Sequence, residues 1–181
     1  MNIKARNLVF ASLCTAIGLL LPSFFHMFGW PGSVFLPMHI PVLICGFLCG
    51  WQYGGLCGIL VPLLTSILTG MPPLFPVGTA MILELGTYGL LTGILYKRTN
   101  VYISLIVAMI GGRIINGLAN TVLLGFSGLA YSFETFLTGA FVTALPGIII
   151  QLIIIPLLIV ALKKAGYIKA EKIIVKHWGD L

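Results

Sequence analysis

Arg113, Asn116 and Asn120 are three polar residues inside an otherwise apolar stretch, residues 101–124. Spaced at i, i+3 and i+7, they share one face of a helix. A second apolar stretch, residues 77–96, carries Glu84, followed by Thr87 and Tyr88 three and four residues later. A guanidinium is a planar fork that suits a carboxylate, and asparagine both donates and accepts hydrogen bonds. These residue types suit recognition of an anionic or amide-rich small molecule. The competing reading is a Glu84–Arg113 ion pair that only locks two helices together. Against it, both ions lose their hydration, and a desolvated pair is often no better than well-packed apolar residues.

The elements that position these residues follow from composition. The chain has 181 residues, 59% hydrophobic and only 8% charged. Soluble domains are about 25% charged, and a soluble fold of this size could not hide so much apolar surface. Gly, Pro and charged residues divide the chain into six apolar segments near 8–28, 34–48, 53–68, 77–96, 101–124 and 136–162. A span needs about 20 apolar residues. The second and third segments are short, and a re-entrant hairpin competes with two separate helices there. The run 8–21 after Lys4 and Arg6 has the look of a signal peptide, but no small-x-small cleavage site follows, so it reads as a retained first span.

Charge then orients the spans. With both ends cytoplasmic, the inside carries Lys4, Arg6, Lys97, Arg98, Lys163, Lys164, Lys169, Lys172 and Lys176. The outer connections near 29–33, 69–76 and 125–135 carry no Lys or Arg and one acid, Glu134. Cytoplasmic segments accumulate Lys and Arg, so the asymmetry is an orientation signal and requires an even number of spans. The expected fold class is an all-α integral membrane protein, a compact bundle of six transmembrane helices with both termini cytoplasmic. It forms one domain over 1–181, with 163–181 a basic cytoplasmic tail beside anionic headgroups. The formal charge of +6 is spread over segment ends rather than gathered on a polar face, which argues against nucleic acid.

Arg113 is the one cation left inside the membrane, where a charge points to function by default. At a rise of ~1.5 Å per residue, Arg113 stands about 18 Å from the inner end of its span and Glu84 about 10 Å from the outer end, so the two match in depth. Gln151 falls deeper. His39, between Pro37 and Pro41, and His26 are weaker site candidates. Trp30 in the first outer connection is an interfacial anchor or part of a lid over a bound molecule. Gly46, Gly50, Gly54 and Gly58 recur every four residues, a pattern that lets helix backbones approach closely in lipid. In the first span Ala11/Thr15 and Ser12/Ala16 repeat small residues at i, i+4, either for packing within the bundle or for docking a partner. Cys14, Cys45, Cys49 and Cys57 form no CxxC and have no neighbouring His at metal-ligand spacing, so they read as small apolar packing groups.

No phosphate-binding GxxxxGK[ST], HExxH or GxSxG is present. Glu84 is the sole carboxylate within a span, and no clear internal repeat relates the two halves. No cofactor or metal is expected, and no enzymatic role.

Six spans in about 180 residues, a basic start, small residues in the first span, and the segment Pro37-Met-His-Ile-Pro-Val-Leu-Ile-Cys-Gly-Phe-Leu-Cys-Gly-Trp-Gln-Tyr-Gly-Gly together resemble the substrate-binding S components of energy-coupling-factor (ECF) transporters. The likeness covers nearly the whole chain. It implies a multi-pass plasma-membrane protein that binds a vitamin-like ligand from outside, between the fourth to sixth spans and under the outer loops. It also implies partners, namely a transmembrane coupling protein and two cytoplasmic ATPases that supply the hydrolysis this chain has no motif for. The docking surface of the family carries over to Ala11, Ser12, Thr15 and Ala16, although a strict Ala-xxx-Ala pattern is absent. For substrate, the expected site is Arg113, Asn116, Asn120, Glu84, Tyr88, His39 and Trp30. Arg113 favours a carboxylate-bearing vitamin or precursor such as pantothenate, with pyridoxine, another B vitamin or a nucleobase-like precursor also open. The alternative function is a self-sufficient secondary transporter or facilitator of a small organic solute, for which carboxylates are lacking. A membrane enzyme would need a nucleophile–base pair or metal cluster that the sequence does not display.

Overall fold

A bilayer offers backbone N–H and C=O groups no partner except one another, so the apolar runs close their hydrogen bonds internally as helices. The computed structural model describes residues 3–126 and 132–167. The tail beyond 167, with Lys169, Lys172 and Lys176, and the part 127–131 of the third outer connection lie outside the described residues. Among the described residues all regular structure is helical: α1 Ile3–Met27, α2 Gly32–Phe35, α3 His39–Cys49, α4 Trp51–Thr69, α5 Thr79–Leu95, α6 Val101–Phe126, α7 Phe133–Leu137 and α8 Leu145–Lys164. Six stretches are long and apolar enough to cross a membrane.

Two of the expected continuous helices are broken. The segment 34–48 divides into α2 and α3, because Leu36 takes a left-handed backbone (φ 52°). The proline at position 37 disfavours a right-handed helical residue before it and has no N–H to give. The break makes His39 the first residue of α3. The segment 136–162 is interrupted as well: α7 leads into a wide π-type turn over Thr138–Thr143, and α8 starts only at Leu145, with Pro146 in its first turn. A similar turn over Leu74–Gly78, with Phe75 extended, precedes α5. The second and third segments are separate helices meeting at Gly50 (φ 86°, ψ 178°).

Burial orders the helices. Of the window that would span the membrane, 61% is buried for α2–α3 but only 22% for α1, so α3 runs through the centre and α1 lies on the periphery. The tightest seam joins α4 to α5. A Cβ added at Gly54 would meet the Gly89 backbone, one at Gly58 the Leu85 carbonyl, and one at Gly93 the Trp51 backbone. Gly46 packs against Thr92 and Gly89 in the same way. The expected every-fourth glycine pattern therefore holds for Gly46, Gly54 and Gly58. It fails at Gly50, where no atom is near an added Cβ and the residue instead supplies the positive-φ corner. The four cysteines are buried and free, spread over α1, α3 and α4. The Thr15 hydroxyl lies 3.4 Å from the Cys57 sulfur.

Arg6, Lys97 and Lys163 line a single cavity. The start of α1, the α5–α6 turn and the end of α8 thus share one end of the bundle, and it is the basic end.

Candidate functional site

Glu84 lies in the second turn of α5 and is buried. Its carboxylate is shared among three helices. The Tyr88 hydroxyl, one turn on in α5, donates to Oε1 at 3.0 Å. The Asn116 amide of α6 donates to Oε2 at 2.8 Å. From α3, His39 Nε2 stands 3.6 Å from Oε1, an ion-pair distance rather than a hydrogen bond. The His39 and Tyr88 rings meet edge-on, with centroids 5.3 Å apart. Asn120 extends the chain of contacts, its amide donating to the Asn116 side-chain carbonyl at 2.8 Å and to its backbone carbonyl at 3.0 Å. That second pair of bonds fixes which way Asn116 presents its NH₂ to Glu84.

Arg113 is buried one turn before Asn116. It is close enough to Glu84 and Tyr88 to act on both electrostatically, yet it makes no contact ion pair with Glu84 among the described residues. Its Nε and Nη2 are buried without a hydrogen-bond partner. The competing reading, a Glu84–Arg113 contact ion pair, thus gives way to a neutral bridge, in which Asn116 reaches the carboxylate. Gly112 makes this approach of α6 to α5 possible, since a Cβ there would run into the Tyr88 ring.

Gln151 of α8 is fully buried, and neither end of its amide has a partner. Both ring nitrogens of His39 also lack a hydrogen bond. Measured along each helix from its basic end, His39, Glu84, Arg113 and Gln151 all stand about 15–20 Å up at ~1.5 Å per residue. Gln151, expected deeper, belongs to the same layer. Helix α8 packs on α3 and α6, and α5 on α3 and α6, so the four helices that carry these residues enclose one polar level. Buried polar groups in folded proteins are nearly always hydrogen-bonded, and each exception requires an explanation. Among the described residues six of the eight exceptions, on His39, Arg113 and Gln151, gather at one depth, and the Ser66 and Tyr96 hydroxyls lie elsewhere.

The structure therefore brings together Glu84, Tyr88, His39, Arg113, Asn116 and Asn120. It leaves Trp30 apart. Trp30 packs with Phe25, Phe28 and Phe35 at the opposite end from Arg6 and remains half exposed. Thr87 turns away and bonds the Leu83 carbonyl. Gln151 and Gly112 are the members that sequence reasoning underweighted. A lone amide in an apolar run and one glycine of a pair were the only signals for them.

The small-residue face of α1 also divides. Ala11 is buried and Thr15 half-buried, its hydroxyl bonded to the Ala11 carbonyl and pointed at Cys57, so this pair packs inward on α4. Ser12 and Ala16 are exposed. All four line a groove of about 330 Å³ between α1 and α4.

Among the described residues, no group of three or more His, Cys, Asp or Glu side chains is arranged to hold a metal. Comparison with known proteins gives one match: residues 6–159 fit the family model described as the substrate-specific component of ECF transporters. No curated protein and no solved structure matches the chain.

Proposed function

The chain belongs to the substrate-specific components of ECF transporters, membrane-embedded binding subunits for vitamin-like uptake, and from that premise we propose that its ligand sits in the polar layer of His39, Glu84, Arg113, Asn116 and Gln151. One observation carries this reading: these side chains, all buried except the half-buried Asn116, share a depth, and three of them have hydrogen-bonding capacity that the protein does not use. A polar ligand that completes them recovers the cost of leaving donors and acceptors buried and unmade, about 1–3 kcal/mol per group.

The chemistry of the free groups suggests what completes them. Glu84 has both oxygens engaged, so it is not a free acceptor for a cationic ligand. The open Nε and Nη2 of Arg113 suit a carboxylate in fork geometry. Gln151 and His39 suit amide and hydroxyl groups. A carboxylate-bearing vitamin or precursor with amide and hydroxyl groups, pantothenate being the type, fits this set. Asn120 holds Asn116 in place rather than meeting the ligand.

The basic end is the cytoplasmic end in this reading, as the one-sided Lys and Arg distribution favours. The peripheral helix α1 presents Ser12 and Ala16 to a transmembrane coupling protein, with two cytoplasmic ATPases supplying the energy.

The test is direct. The purified protein is denatured, any co-purifying small molecule is identified by mass spectrometry, and pantothenate is titrated into ligand-free protein. Arg113→Met, which keeps the stem and removes the fork, should weaken binding by tenfold or more, since a charge-assisted hydrogen bond contributes ~1.5–3 kcal/mol. Normal binding by Arg113→Met would remove Arg113 from the site. Failure of pantothenate at millimolar concentration beside a different co-purifying molecule would replace the ligand. Robust uptake by the chain alone would overturn the coupled mechanism.

A further inference from the structure

The basic end of the bundle holds a cavity of about 580 Å³, a volume in the range of small-molecule sites. Its cations come from three separate places in the chain: Arg6 on α1, Lys97 in the α5–α6 turn and Lys163 at the end of α8. Among the described residues no carboxylate lines it. The acidic side chains among the described residues, Glu84 and Glu134, lie in the polar layer and in α7. Like charges converging from distant segments repel, and an arrangement of this kind is held against that cost more readily when an anion sits among them.

Two further observations concern the walls. The Tyr96 hydroxyl is buried without a hydrogen-bond partner, and Tyr96 lines the cavity. The Lys163 ammonium stands 5.1 Å from the centre of the same ring, a cation–π distance that orients the charge without neutralising it. Trp51 and Gln52, the first residues of the 19-residue helix α4, also line the cavity, and no side chain caps that helix start. A helix N-terminus adds partial positive charge and free N–H groups. Ile3 and Leu48 supply apolar wall beside these groups. Trp51 is 42% exposed, as expected for an aromatic ring at the level of lipid headgroups.

We infer that this cavity is a second binding site, separate from the polar layer, for a phosphate-bearing anion, with Arg6, Lys97 and Lys163 holding the phosphate and Tyr96 donating to it. The mixed wall and the position at the ends of the spans favour the headgroup of an anionic phospholipid of the adjoining leaflet. Free inorganic phosphate shares the chemistry.

The experiment uses the full chain, delipidated in detergent and examined by native mass spectrometry with added phosphatidylglycerol or phosphatidylcholine, and separately by thermal unfolding in millimolar inorganic phosphate. The unsubstituted protein should retain phosphatidylglycerol at least tenfold more tightly than phosphatidylcholine. A Lys or Arg near an anionic headgroup is worth ~1 kcal/mol, about fivefold in affinity. Lys97→Gln/Lys163→Gln should therefore lose about twentyfold, whereas Arg98→Gln/Lys164→Gln, an equal charge change outside the lining, should lose little. Tyr96→Phe should lose about threefold with the ring retained. Stabilisation by inorganic phosphate without selective lipid retention would assign the site to free phosphate. Equal losses in the two double variants, or no preference for either phosphate source, would overturn the inference and leave only a diffuse basic surface.

Discussion

The α4–α5 seam and the polar layer lie side by side along α5 and are built on opposite principles. On one face of α5, Gly86, Gly89 and Gly93 turn to α4, backbone meets backbone, and Thr92 returns its hydroxyl to the Tyr88 and Gly89 carbonyls. That face is held by close backbone packing, and the unpartnered group near it is a single hydroxyl, that of Ser66 on α4 beside Gly78. On the other face Glu84 and Tyr88 open towards α3 and α6, where His39, Arg113 and, from α8, Gln151 keep unused hydrogen-bonding groups. Lipid tails are as apolar as leucine, so helices in a membrane are held by close packing and satisfied polar contacts rather than by hydrophobic association. A seam selected for stability uses both fully. A layer that leaves several groups unmet at one depth is destabilising as a scaffold and makes sense as a receptor.

The comparison can be broken in three places, in falling order of effect. Gly58→Leu should abolish folding, because its side chain would fall on the Leu85 carbonyl and Gly86 nitrogen, which cannot move aside. Overpacking a core already costs ~1–3 kcal/mol where side chains can yield, and here the obstacle is backbone. Size-exclusion chromatography in detergent should show aggregate in place of a monodisperse peak; a well-folded Gly58→Leu protein would mean that the seam is loose. Gln151→Leu should act in the reverse sense. It removes a buried amide with no partners, so the melting temperature should hold or rise, while ligand affinity falls about tenfold through a lost hydrogen bond of ~1–1.5 kcal/mol. A drop in stability with unchanged affinity would class Gln151 with the seam. Asn120→Ala should have the smallest effect, about threefold in affinity, because it only frees Asn116 to turn from Glu84. An effect as large as that of Arg113→Met would place Asn120 on the ligand itself.

Much of the frame was legible beforehand because membrane burial imposes coarse, local rules. Six apolar segments, the glycine repeat at Gly46, Gly54 and Gly58, and the shared face of Arg113, Asn116 and Asn120 follow from helical periodicity. The matched depth of Glu84 and Arg113 follows from a constant rise per residue. The breaks at Leu36 and at Thr138–Thr143 were less legible, because a hydropathy pattern registers how apolar a stretch is and not where its backbone turns. For the same reason His39 looked like a marginal candidate near a helix end, although the break before it places it against Glu84 and Tyr88.

The sequence by itself determined the class of protein, the number of spans, the basic end and the identity of the buried ionisable groups. These depend on composition and on distance along a helix, which the chain carries locally. Only the tertiary structure decided which groups meet. It gave Glu84 to Asn116 and Tyr88 instead of to Arg113, brought Gln151 into the same layer, sent Trp30 to an aromatic cluster of its own, and turned Ala11 and Thr15 inward while Ser12 and Ala16 face out. Helix rotation and choice of neighbour set those partnerships, and both are fixed by how whole faces pack, through contacts between residues far apart in the chain. Periodicity ranks the faces of one helix but contains no term for the helix opposite.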